Sequence, residues 1–289
     1  MTSDRSADVV VPPDFERRFG GLARLYGAAG AQRIHQAHII VVGLGGVGSW
    51  AAEAAARSGV ARVTLVDLDH IAESNINRQV HALDNTIGMA KVQAMRERIA
   101  HINPDCTVDC IEEFVDAGNW PKVLEFGASF DWKNVAVIDA CDQVKAKTAM
   151  AAWAIKNKTR FISVGAAGGK RLAHKVDIED LSLVTHDPLL AQMRNRLRKE
   201  HGAAREKKKI GVACVFSRET VMQSGAVGVA KHSETADVLQ PGDSPSDFLN
   251  EAQSDATLNC HGYGSVVTVT STFGLCAAGW VLGKIAEWA

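Results

Sequence analysis

Gly43, Gly45 and Gly48 fall at G-x-G-x-x-G spacing directly after the apolar run 39–42. In that setting the first glycine permits a tight turn and the second lets backbone approach a phosphate. The third lets the next helix pack closely on the strand. The helix that opens there offers free N–H groups and a favourable dipole to an anion. Asp67 closes a second apolar run, 63–66, where an acid would bond a ribose hydroxyl. These residues alone favour NAD. Gly46, which makes the turn G-x-G-G-x-G, is permitted in either class of nucleotide site.

The residues beyond Asp67 change the balance. Asn75, Arg78 and Lys91 come in order behind it. A dehydrogenase needs no such series. A nucleoside triphosphate does, because transfer at its α-phosphate expels pyrophosphate, and an Arg fork and a Lys ammonium can hold that leaving charge. Further on, "VIDACDQ" places Asp139 and Asp142 at a strand end, where a carboxylate could hold Mg²⁺ against phosphate oxygens. Each residue also has a plainer use. Asp67 and Asp69 could cap a turn, Arg78 and Lys91 could be solvated charges, and Asp142 could cap the following helix. Their fixed order behind a phosphate turn favours the site.

The elements that must position these groups alternate. Residues 39–42 and 63–66 read as buried strands around an alanine-rich helix, 48–58, a right-handed strand-helix-strand unit. Residues 85–103 read as helical. "CTVDCIEEFV", "VAVIDAC" and "RFISVGAAGG" read as strands, and "KAKTAMAAWAIKNK" as a helix. The pattern predicts an α/β, Rossmann-like fold with a mostly parallel sheet and helices on both faces. "AHKVDIEDLSLV" reads as a further strand, and a helix from Asp187 runs into a basic tail. The apolar end, "GSVVTVTSTFGLCAAGWVLGKIAEW", predicts a C-terminal strand/helix extension. Residues 1–13 read as a flexible arm and 14–289 as one domain. Within it lie a basic excursion near 186–210 and a Ser/Asp/Pro-rich mobile loop near 233–258.

The 289 residues are 46% hydrophobic and 22% charged, an ordinary soluble composition with ample core material. A net charge of -1 excludes a general polyanion binder, so any nucleic-acid contact must be local. The six cysteines form no C-x-x-C pair and read as reduced thiols. With no transmembrane span or signal peptide recognised, the expected location is cytoplasmic.

The series "VVGLGGVGSW…TLVDLDHIAESNINRQ…GMAK…DACD" resembles the ATP-binding core of the ubiquitin-activating-enzyme-like family, whose members adenylate a carboxylate. "RFGGLARLYG", "NRQVHAL", "INPDC", "GAAGGK", "DPL" and "CHGYGSVVTVTSTFG" are similar to its branch of bacterial tRNA threonylcarbamoyladenosine dehydratases. The resemblance implies ATP and Mg²⁺ as cofactors and tRNA carrying threonylcarbamoyladenosine as substrate. Gly43, Gly45 and Gly46 would line the phosphates and Asp67 would bond the ribose. Asn75, Arg78 and Lys91 would contact the triphosphate, and Asp142 would serve the metal. Arg24 matches an arginine that reaches the γ-phosphate of a neighbouring subunit's ATP, which implies a homodimer. Many relatives bind a structural zinc through two C-x-x-C pairs; their absence here predicts none. Cys260 matches a cysteine linked to sulfur relay with a cysteine desulfurase partner, or is a small buried residue.

The implied reaction is dehydration: the threonyl carboxylate attacks the α-phosphate, and a carbamoyl atom then closes a ring and releases AMP. The alternative on the same core is adenylation of the C-terminus of a ubiquitin-like sulfur-carrier protein. For RNA the candidate contact is the run from Arg194 to Lys209, with Lys207, Lys208 and Lys209 at its end, although charge runs are commonly solvated helix faces.

Overall fold

The computed structural model describes residues 14–127, 130–205, 208–221 and 263–287. The expected arm 1–13, the loop 233–258, Lys207 and Cys260 lie outside the described residues.

In chain order the elements are α1 (Phe15–Phe19), α2 (Gly21–His35), β1 (His38–Val42), α3 (Gly48–Arg57), β2 (Arg62–Val66), α4 (Lys91–Ile102) and β3 (Thr107–Ile111). They continue with β4 (Val135–Asp139), α5 (Val144–Asn157), β5 (Arg160–Val164), β6 (Val176–Asp180), α6 (Pro188–Glu200), β7 (Ala213–Ser217) and α7 (Val267–Ala286). The strands form one seven-stranded sheet in the order β3-β2-β1-β4-β5-β7-β6. All neighbours are parallel except β6, which runs antiparallel to β7.

Side-chain alternation along the strands divides the core. Ile39 and Val41 of β1 pack with Val63 and Leu65 of β2 against α3, α4 and α7. Ile40 and Val42 face the other way, with Val137 of β4, against α5 and α6. Helices thus cover both faces, as the buried parallel strands require. The chain winds outward from β1 through β2 to β3, then returns to place β4 on the other side of β1. The carboxyl ends of β1 and β4 therefore flank a topological switch point, the usual crevice for ligands in such sheets.

Four local features differ from the sequence expectation. Residues 85–90 are not part of α4: Gly88 has φ of 86°, outside helical space, and the helix starts where Lys91 N–H donates to the Asp69 carbonyl at 3.0 Å. β7, between β5 and β6, is a strand the sequence pattern does not announce. Its five residues follow a charge run that masks them. The strand expected at the head of the C-terminal extension is helical. Its Val and Thr residues favour a strand only where a pleated surface receives them. Here Val269 and Phe273 are fully buried, and Gly274 lies so near α3 that a Cβ would fall 2.3 Å from the Val47 carbonyl oxygen. Thr272 returns its hydroxyl to the Thr268 carbonyl at 2.7 Å. Lastly, α7 is long and apolar enough to cross a membrane, a span not expected from the sequence. It is packed into the core, with Ala277, Ala278 and Val281 fully buried.

Candidate nucleotide site

A cavity of about 350 Å³ opens at the switch point. Gly45, Gly46, Asn75, Arg78, Lys91 and Asp142 all line it, so six residues expected from the sequence meet in one place. Gly43 lies beneath them. Its φ is 86°, and a Cβ there would fall 2.9 Å from the Ala140 carbonyl, so the turn leaves β1 in contact with the exit of β4. At Gly46 a Cβ would meet the Arg78 side chain at 3.1 Å. The missing side chain lets the arginine stem cross the turn.

The segment after β2 carries three site residues. Asn75 Oδ1 accepts from Ala72 N–H at 3.1 Å, leaving its amide as a donor. Arg78 Nη1 donates to the Ser74 carbonyl at 2.7 Å, and its own carbonyl accepts from Trp50 Nε1 at 2.9 Å. The guanidinium is aimed before any ligand arrives. Lys91 is buried and contacts Asp69 at 2.7 Å, with Asp67 at 3.9 Å. Asp67 itself sits behind the cavity wall. Its Oδ2 accepts from Leu44 N–H at 2.5 Å and its Oδ1 from Asp69 N–H at 2.9 Å. Each oxygen has a second lone pair, so these bonds orient the carboxylate and leave acceptor capacity. Burial pushes the Asp67 carboxyl above its ordinary range, against the Lys91 charge.

The two aspartates after β4 separate cleanly. Asp139 is fully buried and pairs with Lys147 at 3.0 Å, while Ser163 Oγ donates to it at 2.6 Å. It is a floor beneath the site. Asp142 lines the cavity, and the cap position of α5 belongs to Gln143. Burial raises the Asp142 carboxyl, and Asp69 and Asp67 add to the rise. Among the described residues no three metal-ligating side chains gather here, so a Mg²⁺ at Asp142 would take its remaining ligands from phosphate oxygens and water.

The opposite wall was not legible in advance. It consists of Gly165–Gly168, Pro188, Leu189 and Val221, with Tyr263, Ser265 and Thr270 nearby; Gln79, which the sequence places directly after Arg78, also lines the cavity. One buried ammonium ties three of these segments together. Lys170 Nζ donates to the carbonyls of Glu219 at 3.0 Å, His186 at 3.2 Å and Ser217 at 3.4 Å. Asp187 accepts from Ala166 N–H and Leu190 N–H at 2.9 Å. The glycine exit of β5 and the residues before α7 were visible as motifs, but nothing local says that Gly169 N–H meets the Gly264 carbonyl. Cys141 also lines the cavity; burial raises its thiol well above the ordinary value, which makes it a poor nucleophile. Arg24 is exposed on α2 and does not line the nucleotide cavity.

The chain is similar to known proteins along nearly its whole length. The tRNA threonylcarbamoyladenosine dehydratase of Escherichia coli K12 is 39% identical over 96% of each chain. That of Haemophilus influenzae is 38% identical over 94% of each. A crystal structure of the E. coli dehydratase in complex with ATP superposes with a TM-score of 0.76 at 37% identity, covering 96% of this chain and 97% of that one. The ThiF family model matches residues 18–188, more than half of the sequence, and the chain belongs to the ThiF family.

Proposed function

We propose that this protein is an ATP-dependent enzyme that dehydrates threonylcarbamoyladenosine in tRNA, closing it to the cyclic form. The observation that carries the reading is the meeting of Gly45, Gly46, Asn75, Arg78, Lys91 and Asp142 around one cavity at the β1/β4 switch point. Relatives that match almost end to end bear that activity in their names, and one was solved with ATP.

In this reading the turn amides and the α3 N-terminus cradle phosphate. The threonyl carboxylate oxygen bonds to the α-phosphorus, the bond to the β-phosphate bridging oxygen breaks, and pyrophosphate leaves. Arg78 and Lys91 take up the charge of that leaving group. A carbamoyl atom then attacks the activated carbonyl, AMP departs, and the net loss is one water. Asp142 would hold Mg²⁺, which neutralises phosphate charge when bound. The protein positions and stabilises, without forming a covalent bond to substrate. The active form is a cytoplasmic homodimer in which Arg24 serves the partner's nucleotide.

The test is to incubate the protein with ATP, Mg²⁺ and tRNA carrying threonylcarbamoyladenosine, then digest the RNA and weigh its nucleosides. The expected product is lighter by one water, and it is absent without ATP or with Arg78→Ala. An unchanged nucleoside from a folded, ATP-binding protein overturns the reading and directs attention to a protein C-terminus as acceptor.

A further inference from the structure

The segment that carries Arg78 and Lys91 also borders a second groove, larger and more open, of about 660 Å³. Three guanidiniums edge it, and each is held by a built acceptor. Arg18 donates to the Ile102 carbonyl at 2.7 Å. Arg57 and Arg98 share the carboxylate of Glu53: Arg57 Nε donates at 2.8 Å, and Arg98 donates through Nε at 2.6 Å and Nη2 at 3.1 Å. Glu53 is only 5% exposed and lies beneath the groove rather than in its wall. A guanidinium carries five N–H donors in a rigid planar fork, so these bonds fix each fork and leave further donors to spend.

His81 lines the same groove. It is 1% exposed, and neither ring nitrogen has a hydrogen-bond partner among the described residues. A buried polar group without a partner calls for one. Burial, with Lys91 and Arg98 nearby, pushes its pKa down to about 4; both ring nitrogens are enclosed, so His81 backs the groove wall and the arginines make the contact. Glu97 is the only carboxylate in the lining among the described residues. Glu53 beneath the groove and Glu97 in its lining set two carboxylates against three guanidiniums, which leaves preoriented forks and a net positive charge, the chemistry of phosphate recognition.

Position links the groove to the reaction. Lys91 opens α4 in the nucleotide cavity, and Arg98 stands seven residues later on the same helix. At 1.5 Å per residue that is about 10 Å, a reach of a few nucleotides of RNA backbone. The sequence-expected run keeps Lys199, Arg205, Lys208 and Lys209 exposed, and its α6 arginines are engaged locally. Arg194 donates to the carbonyls of Leu181 and Val184, Arg198 to that of Ala204, and Arg196 pairs with Glu200.

We propose that the groove edged by Arg18, Arg57 and Arg98 grips backbone phosphates of the RNA substrate beside the nucleotide being modified. The inference rests on the tRNA reading above. The test combines Arg18→Gln, Arg57→Gln and Arg98→Gln. Glutamine removes each charge and keeps an N–H for Glu53 and for the Ile102 carbonyl. Binding of an unmodified tRNA transcript is measured across salt concentrations, beside an ATP titration and sedimentation. The expected result is at least a tenfold loss of tRNA affinity at about 0.1 M salt and a salt slope smaller by about 2 to 3, with ATP binding and oligomeric state unchanged. If the triple variant does not fold, Arg18→Gln alone, on the exposed side of α1, is expected to reduce the slope by about 1. Wild-type tRNA affinity and slope in a folded variant overturn the assignment. Altered sedimentation with unaltered tRNA affinity also overturns it and makes the groove a surface between copies of this chain. If the wild-type protein binds no tRNA, the substrate reading itself fails, an outcome distinct from either.

Discussion

The Asp139 carboxylate and the Lys147 ammonium meet at 3.0 Å with neither side chain exposed, directly beneath the residues that leave β4 for the nucleotide cavity. Lys147 also donates to the Cys141 carbonyl at 2.8 Å, so the pair holds the backbone from which Asp142 projects. Burial alone would depress the lysine, but the carboxylate against it holds its pKa above the ordinary value. The two side chains are buried against each other, and removal of one strands the other. Lys147→Met is expected to cost about 3–5 kcal/mol, because it leaves a buried, uncompensated carboxylate. Asp139→Asn combined with Lys147→Met should recover much of that loss. Urea denaturation of the single and double variants checks it, and equal losses in both would remove the ion pair from the account.

Lys170 does for the far wall what Lys147 does for the floor. Its ammonium gathers the carbonyls of His186, Ser217 and Glu219, and the segments that carry them supply Pro188, Leu189 and Val221 to the cavity. Lys170→Met leaves these carbonyls without a donor, at a cost of about 1–3 kcal/mol. The wall then loosens, so kcat/KM should fall further than stability accounts for at a temperature where the variant is fully folded. Lys170→Gln, which can still donate two N–H bonds, should recover part of the rate. Unaltered kinetics in a folded Lys170→Met protein would make the residue a fold anchor with no bearing on the reaction.

These two lysines show where sequence reasoning stopped. Gly43, Gly45 and Gly46 were legible because a phosphate turn imposes spacing within a few residues. Asn75, Arg78 and Lys91 were legible because one short connection delivers them in fixed order. The α/β architecture was legible from alternating apolar runs. Lys147 and Lys170 look like helix and loop charges until the sheet closes over them. Asp139 and Asp142 both read as strand-exit carboxylates and only the resemblance singled out Asp142; the fold turns Asp139 inward onto Lys147 and leaves Asp142 in the cavity lining. The opposite wall comes from three distant segments joined by the sheet order, which no local pattern encodes. The head of α7 misled because its β-branched residues express a preference that packing on α3 overrides.

Stability should depend on pH through two buried histidines. His38 bonds Thr64 Oγ1 at 2.7 Å, and burial, with Arg62 nearby, pushes its pKa down to about 4. His81 is lowered to about 4 as well. In the unfolded chain a histidine titrates near 6.5, so below that pH the unfolded state binds protons the folded state refuses. The contribution is complete above about pH 6.5 and is lost as pH falls toward 4, at up to about 1.4 kcal/mol per pH unit for each histidine. The raised carboxyls of Asp67, Asp142 and Asp187 act in the opposite sense at the acid end. Comparison with His38→Gln isolates the histidine. Urea midpoints at pH 7, 6 and 5 should fall less steeply for the variant, and parallel slopes would mean that His38 takes up its proton without unfolding.

Arg24 is exposed on α2, outside the cavity that Arg78 enters. If it completes the nucleotide site of a second copy, two inactive variants should rescue each other. Arg24→Ala retains its own Arg78 but offers no arginine to its neighbour, and Arg78→Ala does the reverse. A mixed dimer then contains one intact site, built from Arg78 of one chain and Arg24 of the other. Random exchange of equal amounts makes half the dimers mixed, so activity should return to about a quarter of wild type for a two-fold dimer. Each variant alone should be reduced by about 10²–10³ in rate, as for loss of one charge-stabilising donor. A mixture no more active than its components would place Arg24 outside the reaction or within its own subunit's site.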